Sequence, residues 1–157
     1  MKIITREGTQ SDAPAILSLI HQAFKQYEGK LDPPSGAHKE TIDTIKARIS
    51  EGGALIIEND NLVIGCALYE KNPDNLYMGR LAVLPAYRNQ GIGNKLLEMV
   101  ERKANELGSP IIRIGVRIGI PNLIEFYNKR GFNITEYCCH NGYTNPTFVR
   151  MIKNLKE

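Results

Sequence analysis

Residues 76–118 constrain this chain more than any other stretch. Leu76 to Leu84 is apolar, reads as a strand and is closed by Pro85. From about Gly91 to Leu107, the residues Ile92, Leu96, Val100 and Leu107 recur at helical spacing and face inward, and Gly108 ends the run. Ile111 to Ile118 then alternates as a second strand. A strand, a long helix and another strand make a crossover, so the two strands are expected to lie parallel with a right-handed connection. The remaining residues must complete a sheet around that pair.

They carry the signals to do so. Lys2 to Arg6 suits a short strand ending at Gly8, and Ser11-Asp12 offers an N-cap with Pro14 in the first turn. Ile16, Leu19, Ile20, Ala23 and Phe24 predict an amphipathic helix to about Tyr27. Glu28 to Ala37 holds two prolines and two glycines and is expected to be a loop. A second helix is predicted from about Lys39 to Ser50, with Ile42, Ile45 and Ile49 on one face. Ala54 to Glu58 and Leu62 to Glu70 form a strand pair around the turn residues Asn59-Asp60-Asn61. Pro121 opens a short helix to Arg130 that Gly131 terminates, and Asn133 to His140 and Thr147 to Leu155 read as two last strands. The order β-α-α-β-β-β-α-β-α-β-β implies a mixed α/β fold in one domain, residues 1–157, with one parallel pair in a mostly antiparallel sheet.

Composition narrows the class. At 42% hydrophobic and 24% charged the chain can bury a sizeable core, and 14 glycines and 8 prolines exclude collagen-like or linker-like material. No run approaches the roughly 20 apolar residues of a membrane span, and Met1 to Thr9 lacks the apolar core of a signal peptide. A cytoplasmic protein without membrane partners is expected. The net charge of +3 is spread rather than clustered, which argues against a nucleic-acid partner but would help to collect an anionic ligand. Cys66, Cys138 and Cys139 read as reduced thiols. Adjacent cysteines rarely meet disulfide geometry, and Cys138-Cys139-His140 cannot easily converge on one zinc ion, so no metal is expected.

The chemistry gathers where the first crossover strand meets its helix. Arg80-Leu81-Ala82-Val83-Leu84 runs through Pro85-Ala86-Tyr87 into Arg88-Asn89-Gln90-Gly91-Ile92-Gly93. A helix start after such a turn is an anion trap: the first N–H groups have no intrahelical acceptor, the dipole is positive there, and glycines let a phosphate approach the backbone. Arg88 adds a forked cation. The run lacks the third glycine of a dinucleotide fingerprint, since position 96 is Leu, and lacks the Lys-Ser/Thr of a P-loop.

Arg-x-x-Gly-x-Gly after a Leu-Ala-Val-x-Pro strand resembles the acetyl-coenzyme A loop of the GNAT family of N-acetyltransferases, and the element order of the whole chain is also that family's order. The resemblance implies a central parallel pair that splays, flanked by helices. It implies that backbone N–H groups of Gln90, Gly91, Ile92, Gly93 and Asn94, with Asn89 beside them, hold the pyrophosphate. Leu81, Ala82 and Val83 would bond the pantetheine arm, a backbone N–H near Val83 would polarise the thioester carbonyl, and Arg88, Lys95 and Arg130 are candidates for the phosphates. Phe126-Tyr127-Asn128-Lys129-Arg130-Gly131-Phe132 resembles the segment whose tyrosine protonates the departing thiolate, which assigns that role to Tyr127; the other reading of Tyr127 is core.

Two positions depart from the pattern. The asparagine that often contacts the cofactor arm is Ile120 here, with Asn122 the nearest substitute, and the glutamate that often serves as base is Gly79. Glu70, Glu28, Asp74, Tyr77 or a water chain are the alternatives for the base. Cys66 sits mid-strand with no histidine near it in sequence and is expected to pack in the core. The expected activity is direct transfer of acetyl from acetyl-coenzyme A to a primary amine of a small molecule or peptide; a coenzyme A-binding sensor without turnover is the alternative. The resemblance places acceptor entry between Glu28 to Ala37 and His140 to Pro146, where Tyr27, Tyr137 and Tyr143 are candidate lining, and it allows a homodimer.

Overall fold

In the computed structural model, which describes residues 2–156, seven strands form one sheet. They are β1 (Ile3–Glu7), β2 (Gly53–Asn59), β3 (Leu62–Lys71), β4 (Leu76–Val83), β5 (Ile111–Arg117), β6 (Asn133–Cys138) and β7 (Phe148–Asn154). Their order across the sheet is β1-β2-β3-β4-β5-β7-β6. Only β4 and β5 pair in parallel; every other neighbour is antiparallel. The crossover between them is α3 (Ile92–Glu106), and the other helices are α1 (Ala13–Phe24), α2 (Ile42–Glu51) and α4 (Leu123–Asn128). The expected mixed α/β architecture is therefore the one observed.

The hairpin joining β2 and β3 turns on Asp60 and Asn61, both at positive φ (48° and 70°), the backbone that a two-residue type I′ turn demands and that Asn and Asp tolerate. α3 and α4 end alike. Gly108 and Gly131 take φ of 73° and 92°, while Ser109 N–H reaches Ala104 and Phe132 N–H reaches Tyr127, closing Schellman caps.

Three predicted helices shorten. α1 ends at Phe24, short of Tyr27, and passes into the 3-10 turn Lys25–Tyr27. α2 begins at Ile42 rather than Lys39, because Thr41 and Thr44 cap each other through their hydroxyls and Glu40 is extended; Gly36–Lys39 is a separate 3-10 turn. α4 covers Leu123–Asn128 instead of Pro121 to Arg130, since Asn122 precedes it at φ 64°. The last strands stop at Cys138 and Asn154, short of His140 and Leu155. Leu107 caps α3 and is only partly buried.

Ile64 to Leu68 of β3 is buried without a break, which requires cover on both faces of the sheet. Helices α1 and α2 supply one layer, with Ile16, Ile20 and Ile45 fully buried. α3 supplies the other: Ile92 and Leu96 lie against Gly65, so closely that a Cβ there would meet them at 2.9 and 3.2 Å. Each such isoleucine or leucine contributes about 1.5–3 kcal/mol. Among the described residues no helix is long and apolar enough to cross a membrane.

Candidate active site

The parallel pair opens almost as soon as it forms. β4 and β5 are in register only at Leu76–Ile112 and Tyr77–Arg113. Beyond that point β4 bulges: Cys66 faces Ala82 and Leu68 faces Gly79, so Arg80 and Leu81 stand against Ala67 alone. Arg80 takes φ 51°, a left-handed backbone that costs a side-chain-bearing residue roughly 1–2 kcal/mol. Its side chain is held in return. Arg80 Nε lies 2.9 Å from Oε2 of Glu40; the same oxygen meets Arg48 Nε at 2.8 Å, and Glu40 Oε1 accepts from the Thr44 hydroxyl at 2.7 Å. Burial alone would raise the pKa of Glu40; the Thr44 and Arg80 hydrogen bonds and the two guanidinium charges outweigh it and hold the carboxyl below its ordinary value. Nothing in the sequence pointed to this bulge, because arginine is not a residue that advertises positive φ.

The bulge decides what the open edge of β4 offers. Leu84 N–H donates to Ile64 across the β3 side at 2.9 Å. Backbone groups of a strand alternate between its two edges, so those of Val83 point into the gap left by β5.

One wall of that gap is the start of α3. Gly91 is its N-cap at φ 80°, and the first N–H with a helical acceptor is that of Lys95, 3.0 Å from the Gly91 carbonyl. The N–H groups of Ile92, Gly93 and Asn94 precede it and are left open by the geometry of any helix start. A Cβ on Gly91 would meet nothing within 4 Å, and one on Gly93 would touch only the Phe126 ring, at 3.4 Å. Arg88 does not stand free beside these glycines: its Nη2 donates to the Ala23 carbonyl at the end of α1 at 2.9 Å, and Gln26, with its amide turned, accepts from both terminal nitrogens. Arg130 lies over the Phe126 ring with Cζ 3.6 Å from its centroid, donates to the Phe126 carbonyl and bonds Asn94 Oδ1.

The facing wall is α4. Tyr127 is buried and packs edge-on against Phe126 and Phe132, with centroids 5.1 and 5.5 Å away. Burial is the main reason its pKa lies above that of an ordinary phenol; the charge of Arg130 opposes this and Tyr77 adds to it. The hydroxyl therefore stays neutral and able to donate at any working pH.

These elements enclose a cleft of about 640 Å³. Of the residues singled out in the sequence, Leu81, Ala82, Val83, Arg88, Asn89, Gly91, Ile92, Gly93, Asn94, Tyr127 and Arg130 line it. Gln90, Lys95 and Asn122 do not, whereas Ile120 and Arg80 do. Glu70, Glu28, Asp74 and Tyr77 are all absent from the lining, and among the described residues that line the cleft none carries a carboxylate or an imidazole. Cys66 is wholly buried in β3 and its thiol is pushed up to about 12 by desolvation, so it packs rather than reacts.

At the mouth two distant loops meet. The Tyr143 hydroxyl donates to Asp32 Oδ1, and Arg117 Nη2 donates to the Pro33 carbonyl. His140 stands beside them with Nδ1 against the Thr147 hydroxyl; burial, then the charge of Arg117, lowers its pKa. Tyr27 lines the cleft, while Tyr137 is exposed on β6 and takes no part in it.

Comparison with known proteins agrees with this architecture. The model of the Acetyltransferase (GNAT) family matches residues 16–132. An S-alkylcysteine N-acetyltransferase of Bacillus subtilis is 28% identical over 141 residues, 83% of this chain and 79% of that protein. An amino-acid acetyltransferase of Pasteurella multocida is 29% identical over 133 residues; the match takes in 83% of this chain but only 27% of that longer protein. Among solved structures, the PaiA N-acetyltransferase of Thermoplasma acidophilum, crystallised with coenzyme A, superposes with a TM-score of 0.83 at 19% identity, covering 98% of this chain and 99% of that one.

Proposed function

The chain belongs to the acetyltransferase (GNAT) family, and from that premise we propose that it transfers acetyl from acetyl-coenzyme A to a primary amine of a small molecule or peptide. The observation that carries the reading is the convergence on one cleft of three groups: the open α3 N-terminus, the unpaired edge of β4 at Val83 and the neutral phenol of Tyr127.

The cleft fits the donor. Gly91 and Gly93 leave a cradle free of side chains beside unpaired N–H groups, which suits a pyrophosphate. Arg88 and Arg130 put positive charge on the same wall. Acetyl-coenzyme A supplies an acetyl thioester, whose sulfur leaves as a thiolate when an amine attacks. In this proposal Leu81, Ala82 and Val83 orient the donor through the freed edge of β4. The Val83 N–H donates to the carbonyl oxygen as negative charge gathers on it, and the fixed bulge keeps that donor aimed before the reaction starts. Tyr127 donates its proton toward sulfur; desolvation keeps it neutral, and Arg130 moderates the cost of charge at its oxygen. With no carboxylate or histidine on the lining, the amine proton leaves through water. That same absence favours the second reading, a coenzyme A-binding sensor without turnover.

A panel of primary amines, assayed for release of the coenzyme A thiol, tests the two readings. Turnover of any amine supports the enzyme; tight coenzyme A binding with no turnover across the panel supports the sensor. Tyr127→Phe then isolates the phenol. The ring contacts survive, so coenzyme A affinity holds, while kcat and kcat/KM fall together by about 10²–10³-fold. An unchanged kcat returns Tyr127 to the core. The same tyrosine has a signature in stability: its folded pKa lies above the unfolded value near 10, so it holds its proton where the unfolded chain loses one. Stability therefore falls as pH rises past about 10, and less steeply in Tyr127→Phe.

A further inference from the structure

Four arginines line the cleft: Arg80, Arg88, Arg117 and Arg130. Three have evident occupations. Arg80 pairs with Glu40, Arg88 ties the end of α1, and Arg130 stacks on Phe126 and bonds Asn94. Arg117 differs. Its Nη2 reaches the Pro33 carbonyl, but its Nε is buried with no partner. None of the ion pairs among the described residues includes it. Asp32 is near enough for its charge to act on Arg117, yet its Oδ1 accepts from Tyr143. A buried guanidinium N–H without an acceptor is costly, more so than a neutral one.

Its position gives that vacancy a use. Arg117 ends β5, four residues past Arg113, the register partner of Tyr77, and lines the cleft together with Leu81, Ala82 and Val83. Arg117 thus stands across the split from the Leu81–Val83 edge, at the mouth bounded by the loops of Asp32 and Tyr143. A planar, always-charged fork in such a place matches the two oxygens of a carboxylate.

We propose that Arg117 binds a carboxylate of the acceptor, so that the substrate class is short amino acids rather than plain amines, polyamines or peptide side chains. The inference rests on the acetyltransferase reading for the identity of the amine, and on Arg117 alone for the carboxylate. Burial, which lowers the pKa of Arg117, leaves it fully charged at neutral pH because a guanidinium starts far above it. It also strengthens whatever anion it meets.

The test compares acids with their amides: leucine, methionine and phenylalanine against leucinamide, methioninamide and phenylalaninamide, by coenzyme A release. Wild type is expected to favour the acids in kcat/KM by about tenfold to a hundredfold. In Arg117→Gln that preference falls to about one; Arg117→Lys, which keeps the charge without the fork, retains part of it. Thermal melting verifies that both variants fold. A second readout needs no turnover: calorimetric binding of N-acetyl-leucine, N-acetyl-methionine and N-acetyl-phenylalanine against their amides, with coenzyme A present. An acid preference in binding that Arg117→Gln removes upholds the inference even if no amine is acetylated, in which case the transfer reading alone fails. Equal treatment of acid and amide by wild type, a preference surviving in Arg117→Gln, or no binding of either form would overturn it.

Discussion

The two ends of the cleft are built by different means. At the α3 end the groups that face the opening are backbone N–H groups, positioned by Gly91 at φ 80° and by the helix that follows. They come from one contiguous run, and the helix geometry that exposes them holds for any side chains that let the helix start there. At the mouth the groups are side chains drawn from three distant segments: Asp32 and Pro33, Arg117, and Tyr143 with His140. An anion site made of main chain tolerates little change in shape, whereas a recognition site made of side chains can be altered one residue at a time. A family can thus keep its donor while changing its acceptor.

That contrast can be broken most forcefully at the glycines. Gly91→Glu and Gly93→Glu fill the cradle with a carboxylate and should weaken acetyl-coenzyme A by on the order of a hundredfold or more while the fold survives. Gly91→Ala sharpens the point: nothing lies within 4 Å of its Cβ, so it pays only the left-handed strain of about 1–2 kcal/mol in stability and keeps most of its affinity. Near wild-type calorimetric affinity in both glutamate variants would sink the backbone reading of this wall. Arg88→Ala comes next, with an expected loss of coenzyme A affinity of about tenfold to a hundredfold. Because Arg88 also holds the Ala23 carbonyl, pantetheine is the control; an equal loss for pantetheine would assign Arg88 to anchoring α1 rather than to phosphate. The smallest effect belongs to the mouth. Tyr143→Phe removes the bond to Asp32 and should raise the acceptor KM by about two- to tenfold, leaving coenzyme A affinity unchanged. A coenzyme A defect in that variant would mean that the two ends are not separable.

The same division governs how much the sequence reveals. The α3 wall was legible because Arg88 to Gly93 carries its own geometry: a glycine, Gly91, where φ is positive, a helix signal directly after, a strand before. Tyr127 was singled out through the resemblance of Phe126 to Phe132 to a family segment, a stretch that also encodes the cap at Gly131. The hairpin at Asp60-Asn61 was readable for the same local reason. Arg80 was not. Its left-handed backbone is imposed by pairing with β3 and by Glu40, forty residues away. Nor was Arg117, whose setting is made by the distant loops of Pro33 and Tyr143. The candidate bases lie off the lining for a related reason, since charge and proximity in sequence say nothing of which face of a strand or loop turns to the cleft.

By itself, then, the sequence determined the element order, the parallel crossover from β4 to β5 and the glycine-marked start of α3. All of these follow from periodicity, glycine and capping chemistry acting over a few residues. Tertiary structure alone decided that β7 inserts between β5 and β6, that β4 bulges at Arg80, and that the Nε of Arg117 lies buried with its hydrogen unspent. Strand order, bulge position and the burial of a single guanidinium nitrogen depend on contacts between segments far apart in the chain, and pairing energies of that kind leave no local mark on the residues that make them.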